Sequence, residues 1–226
     1  MAKKPGGDPL QPRGLSVHLR NSRKLSPASQ AWLRRQLNDP YVAAAKAQGW
    51  RSRAAFKLIE LDDRFALLKP GLRVVDLGSA PGGWSQVAVH RGVSHVLALD
   101  LLAMDPVPGA AFLQGDFNDP DMPARLTALL GGPADLVLSD MAPNTTGHTA
   151  TDHLRIIALA EMALQFAATV LAPGGGFVAK VFQGGSEGQM LAPMKRLFTS
   201  VRHAKPPASR KDSSELYVVA QGFRGG

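Results

Sequence analysis

Residues 73–89 read RVVDLGSAPGGWSQVAV: an apolar strand, a loop of small residues, and then a helical pattern. In the loop, residues 78–83, glycines let the main chain turn sharply and let a ligand approach backbone atoms. In an open parallel sheet such a ligand lies outside the carboxyl end of the strand. The loop is not a GxGxxG fingerprint, because Gly78 is followed by Ser79 and Ala80, and Pro81 lacks an amide donor. That weakens a dinucleotide reading, which needs amides facing a pyrophosphate. It suits a ligand with an adenosine and no phosphates. The bland alternative is a glycine-rich strand-to-helix connection that binds nothing.

Outward from this stretch the text alternates short apolar runs with helical ones. The runs are RVVDLG, HVLALDL, AAFLQGDF, DLVLSDM, GFVAKVF and ELYVVAQGF, and between several of them lie WSQVAVHR, PARLTALL, HLRIIALAEMALQFAATVL and QMLAPMKRLF. Such alternation predicts a parallel sheet covered on both faces. The last two strand candidates, near residues 201–204 and 215–221, have no helix between them. They predict a hairpin that brings one antiparallel strand to the sheet edge. The fold class is therefore α/β, a Rossmann-like, mostly parallel sheet.

Upstream, a helix starts near Ser26-Pro27, Asp39-Pro40 restarts the chain into a second, and Gly49 ends that one. A third follows, with Ser52 as its expected N-cap, until Lys69-Pro70-Gly71 breaks the pattern. Residues 1–27, rich in Pro, Gly and basic residues, read as a flexible tail. Residues 28–226 read as one domain that includes the helices of 28–68.

The chain has 226 residues with Lys+Arg 26 and Asp+Glu 18, a net charge of +8. The charge is unevenly placed. Residues 1–70 hold 14 basic against 5 acidic residues, a net +9, and residues 71–226 hold 12 against 13, a net −1. The functional reading is an electrostatic arm for nucleic acid, and the bland one is a solvated tail. There is no cysteine, which excludes disulfides, cysteine-held metals and a thiol nucleophile. The six histidines form no HxH or HxxxH pair, so no metal is expected. The most apolar stretch, 154–172, is broken by Arg155, Glu161 and Gln165 and reads as a packed helix, so no membrane span is expected. The N-terminus lacks an apolar secretory core, and a cytoplasmic monomer is the expectation.

Strand ends carry the candidate chemistry. Asp100 ends the second run, 22 residues after Gly78, where a carboxylate can accept from both ribose hydroxyls. Asp116 ends the third and can accept from an adenine amino group. Asp140 ends the fourth, and Lys180 stands inside the apolar fifth run, costly unless paired or emerging at a site. Lone residues of this kind are ordinarily turn or snorkelling residues. Their succession at one sheet edge is what points to a site. Trp84, directly after the loop, is a cofactor wall or a core residue. Arg51 and Arg53 are phosphate contacts or a solvated helix start.

With RSRAAFKL, residues 51–58, and SRKDSSELYVVA added, these motifs resemble, in order and spacing over roughly residues 31–223, the FtsJ-type ribosomal RNA large-subunit methyltransferases. The resemblance implies a seven-stranded sheet with one reversed strand and S-adenosylmethionine as cofactor. It implies methyl transfer to a uridine ribose 2′-hydroxyl of large-subunit rRNA, free or in the ribosomal large subunit. The family's Lys-Asp-Lys-Glu pattern falls on Lys57, Asp140, Lys180 and Glu215, and its cofactor contacts on Gly78, Gly82, Trp84, Asp100, Asp116 and Asp140.

Because the donor is an activated sulfonium, the protein's main task is to hold oxygen, methyl carbon and sulfur in line. A neutral lysine could also take the hydroxyl proton, with Lys180 as base, Asp140 orienting it, and Lys57 and Glu215 in support. A version in which Lys180 only orients the hydroxyl stays open. Three alternatives also remain: the same chemistry on tRNA or another RNA, a non-catalytic ribosome-assembly factor, and a nicotinamide oxidoreductase, which Pro81 disfavours.

Overall fold

The computed structural model describes residues 26–143, 147–183 and 187–225. Residues 1–25 of the expected tail lie outside the described residues. Three helices come first: α1 (Pro27–Leu37), α2 (Pro40–Gln48) and α3 (Ala54–Phe65). Both of the first two start as their sequences require, with Ser26 and Asp39 capping through their side chains and proline in the first turn. α2 ends on Gly49 in the left-handed conformation, φ 74°. The third departs from expectation: Arg53, not Ser52, is the N-cap, and it makes no side-chain capping bond.

After α3, strands and helices alternate: β1 (Arg73–Leu77), α4 (Gly83–His90), β2 (His95–Asp100), β3 (Ala110–Gln114), α5 (Met122–Leu130), β4 (Ala134–Ser139), α6 (Thr149–Val170), β5 (Leu171–Phe182), α7 (Glu187–Leu197), β6 (Phe198–Ala204) and β7 (Glu215–Phe223). The strands form one seven-stranded sheet in the order β3-β2-β1-β4-β5-β7-β6. Only β7 is reversed, antiparallel to both β5 and β6. The expected hairpin is there, with the reversed strand one place in from the rim and β6 forming the edge.

Each strand of the sheet centre is buried on both faces, as its near-continuous apolar text demands. One face packs Val75, Leu77, Val137, Phe177 and Val218 against α5, α6 and α7. The other packs Val74, Leu136, Leu138, Val178 and Tyr217 against α3 and α4 through Leu58, Leu61, Trp84 and Val87. α6 is long and apolar enough to cross a membrane, yet Ile156, Ile157, Ala160, Leu164 and Phe166 are buried in the core. Each large side chain among them contributes about 1.5–3 kcal/mol of burial. Strand order reverses between β1 and β4, and their carboxyl ends open a crevice at that point.

Candidate active site

The floor of the crevice is main chain. Gly78 continues off β1 with φ +77°, and its amide and that of Ser79 both donate to the carbonyl of Leu99. A Cβ on Gly78 would lie 2.7 Å from the amide nitrogen of Met141, so no other residue fits here. The cleft above, about 640 Å³, is walled by Leu101, Leu102, Phe117, Met141 and Met162, with Asp100, Asp116 and Asp140 at its polar points. Asp100 is fixed by two amides: Oδ2 accepts from Ala80 and Oδ1 from Leu102, both at 2.8 Å. Each carboxylate oxygen keeps a second lone pair for a ligand. The Asn118 backbone and side-chain amides donate to Asp116 and hold its carboxyl below the usual range. An uncharged nucleoside fits this set: apolar walls for a base, carboxylate acceptors for hydroxyl and amino groups, and a main-chain cradle.

Beside the cleft stands a polar cluster on the α3/α4 side of the sheet. Register assembles it. Asp140 directly follows Ser139, the neighbour of Ala179 across the parallel β4–β5 pair. Lys180 faces Tyr217, and Phe182 faces Glu215, across the antiparallel β5–β7 pair. Opposed residues in a sheet share a face. The Lys180 Nζ sits 3.0 Å from Asp140 Oδ1 and donates to the Asp140 carbonyl at 2.6 Å. Lys57, from α3, reaches both carboxylate oxygens of Glu215 at 2.8 Å. The four residues drawn from α3, β4, β5 and β7 thus converge.

Tyr217 joins the two pairs. Its hydroxyl donates to Asp140 Oδ1 at 2.7 Å and accepts from Lys57 at 3.2 Å. Burial, then the carboxylates of Asp140 and Glu215, push the phenol well above its ordinary value, so Tyr217 stays protonated and acts as a donor. Burial pushes Asp140 up, but the ammonium groups of Lys180 and Lys57 and the Tyr217 hydroxyl outweigh it and hold this carboxyl below the usual range. Asp140 is therefore an anion at neutral pH. Sequence reading missed Tyr217. The signal was available: two residues after Glu215 in a strand is the same face.

A further carboxyl, Asp76 in β1, is fully buried on this side. It accepts from Ser85 at 2.6 Å, and its other oxygen has no hydrogen-bond partner among the described residues. Burial, opposed by Ser85 and reinforced by Asp140 and Asp100, raises it to about 7.

The other residues singled out in the sequence make the following contacts. The Trp84 side chain is 2% exposed, donates to the Ala54 carbonyl and lies against Tyr217, so it is core rather than cleft wall. At Gly82 (φ +101°) a Cβ would meet Val107 and Arg51. Arg53 and Arg51 are internal ties, not free phosphate ligands. Arg53 pairs with Asp39 at 2.8 Å and donates to the Ala208 carbonyl. The Ala208 amide donates to Glu60, and the next residue, Ser209, donates to Glu215 at 2.7 Å. Ser209 is a second residue that sequence reading missed, since no local pattern links it to the strand end it serves. Of the loop histidines, His148 meets Thr151 and His153 lies against Phe182. No cluster of metal-ligating side chains occurs among the described residues.

Residues 50–223 match the model of the FtsJ-like methyltransferases. A protein of Granulibacter bethesdensis named ribosomal RNA large subunit methyltransferase E is 73% identical over 216 residues, 96% of this chain and 94% of that one. A Gluconobacter oxydans protein of the same name is 69% identical over 212 residues, covering 94% of this chain and 79% of the relative. Among solved structures, a ribosomal RNA methyltransferase from Plasmodium falciparum superposes with a TM-score of 0.70 at 29% identity, over 78% of this chain and all of that one.

Proposed function

The chain belongs to the FtsJ-like methyltransferase family, and from that premise we propose that it methylates a uridine ribose 2′-hydroxyl of large-subunit rRNA with S-adenosylmethionine. One observation carries the reading: a lysine near the carboxyl end of an apolar strand, Lys180, is held on two sides by Asp140, which itself lines the cleft. A lysine is expensive to bury, and such placement is spent on function.

When bound, S-adenosylmethionine supplies a methyl group on a positively charged sulfur. Asp100 would accept from its ribose hydroxyls and Asp116 from its adenine amino group, and Asp140 would border it at the end of β4. Lys180 has three N–H positions, and Asp140 occupies two of them in its ammonium form. The third position would be left for the substrate hydroxyl. In its neutral form Lys180 takes the hydroxyl proton as the oxygen lone pair forms the new bond to carbon. Lys180 would hold that proton as an ammonium while the electron pair of the broken carbon–sulfur bond stays on sulfur, so that charge balances. Asp140 fixes the direction of the amine. Lys57 and Glu215, bridged by Tyr217, fix Asp140 and so help to position the substrate. Alignment of the reacting atoms at about 3–3.5 Å is the larger part of the task.

The substrate is rRNA, free or within the ribosomal large subunit, and the protein works as a cytoplasmic monomer without metal. The test is transfer of labelled methyl groups onto total RNA and onto isolated subunits, with mapping of the modified nucleotide. Label on a large-subunit rRNA uridine supports the reading. Label on tRNA alone, or on a base rather than a ribose, overturns it.

A further inference from the structure

Arg51 lies just before α3 and lines a hollow that shares Ala80 and Leu102 with the nucleoside cleft. Its guanidinium donates to three main-chain carbonyls. Nη1 reaches Pro81 at 3.2 Å and Asp105 at 2.5 Å, and Nη2 reaches Pro106 at 2.5 Å. Pro81 belongs to the glycine loop after β1. Asp105 and Pro106 belong to the segment after β2, which begins with the cleft residues Leu101 and Leu102. Three of five guanidinium N–H donors are therefore committed to holding two loops together.

The surroundings are built around this reach. A Cβ on Gly82 would fall 3.1 Å from Nη1 and 3.2 Å from Cδ of Arg51, and 2.8 Å from Val107. Gly82 thus leaves room for the side chain as well as adopting φ +101°. The Arg51 amide donates to the Gln86 side chain at 3.0 Å, and Gln86 donates to the Gly49 carbonyl at 2.8 Å, which ties the α2–α3 turn to α4. The same two loops meet on the cleft side, where the Ala80 and Leu102 amides grip Asp100.

We infer that Arg51 is a positioning residue for the cofactor pocket. It clamps the loop after β1 to the loop after β2, and so fixes the Asp100 carboxylate and the Leu101–Leu102 wall in ligand-ready geometry. It does not act as an RNA phosphate contact. The inference rests on the proposal that the cleft binds S-adenosylmethionine. Arginine suits the role because its planar fork carries donors on separate nitrogens that reach the carbonyls of both loops, whereas the three donors of a lysine all radiate from one atom.

The test is isothermal titration of S-adenosylmethionine into the full-length protein, without RNA, for wild type, Arg51→Ala and Arg51→Lys. Melting temperatures and RNA affinities are measured in parallel. Cofactor affinity should fall about tenfold or more in both variants, the scale of losing hydrogen bonds from a charged donor. RNA affinity and its salt slope should stay unchanged, and kcat at saturating cofactor should stay within about threefold. Gly82→Ala should weaken cofactor binding too, and combining it with Arg51→Ala should cost little more than either alone, because both break one clamp. If Arg51→Ala does not fold, Arg51→Lys decides, since it keeps the stem and the charge. Cofactor affinity within about twofold of wild type in Arg51→Lys overturns the inference. So does a loss confined to RNA binding with a salt slope shallower by about one. Wild-type protein that binds no S-adenosylmethionine would instead remove the functional reading beneath it.

Discussion

At the scale of single residues, the site depends on which groups hold protons. Lys180 should be indispensable to the chemical step. Lys180→Ala should lower the single-turnover rate about 10²–10⁴-fold, the usual contribution of a positioned base, with cofactor affinity retained. Lys180→Arg should be nearly as poor, because a guanidinium does not give up its proton at working pH. Wild-type single-turnover rates in Lys180→Arg across the pH range would exclude proton transfer to this residue and leave alignment to explain catalysis. Asp76 makes a different prediction, on stability. Its carboxyl titrates at 3.8 when unperturbed and near 7 in the fold. Below the lower value both states carry the proton and the group costs nothing. Between the two values the unfolded chain ionises first, so stability falls as pH rises and levels off above about 7. Asp76→Asn cannot ionise. Its melting temperature should therefore gain on wild type between pH 5 and 8, and a gap that stays constant with pH would show that this carboxyl does not titrate there.

Elements decide how those residues are held. The β6–β7 connection carries Ser209, whose hydroxyl donates to the carboxylate that receives Lys57. That connection is itself held by α3, through Glu60 to the Ala208 amide and Arg53 to the Ala208 carbonyl. Helix and hairpin thus brace one end of the polar cluster from both sides. Ser209→Ala should leave the Ala208 bonds intact and leave the Glu215 carboxylate held by Lys57 without the serine hydroxyl. The expected effect is a fall in kcat of about tenfold, the scale of one hydrogen bond to a charged group, with the cofactor Kd unchanged. Ser209→Thr, which keeps the hydroxyl, should recover most of the rate. An equal loss in both variants would assign the effect to packing in the 4% exposed site rather than to the hydrogen bond.

Over the whole molecule, charge is segregated. The net +9 of residues 1–70 stands against the net −1 of residues 71–226. Part of that positive charge is already used within the fold, since Arg51, Arg53 and Lys57 all make internal contacts. The remainder includes Lys3, Lys4, Arg13, Arg20, Arg23 and Lys24. Replacing these six with glutamine in the full-length protein should weaken RNA binding and flatten its dependence on log salt. Each phosphate that is no longer neutralised should take about 0.7–0.9 off the slope. Cofactor affinity should not move. An unchanged slope would return the N-terminal charge to a solubilising role.

Much of this architecture is written locally. The alternation of strand and helix text, the proline and glycine stops of the first helices, and the small-residue loop after β1 each follow from backbone and burial rules that act within ten or twenty residues. The residues at strand ends were legible for the same reason, because parallel strands bring their carboxyl ends to one edge. Contacts across the chain were not legible. Tyr217 becomes a bridge only because the β5–β7 register sets it opposite Lys180. Ser209 matters only because its loop returns to α3, 148 positions away in the Glu60–Ala208 bond. Trp84 reads equally well as wall or core until α3 covers it and the Ala54 carbonyl takes its N–H. Arg51 and Arg53 read as exposed cations until distant loops supply carbonyl and carboxylate partners. Sequence settles where the main chain turns and which faces are apolar, because those are near-neighbour energies. The partner of a long polar side chain is settled by packing, because it depends on which distant segment arrives within three ångströms of its tip.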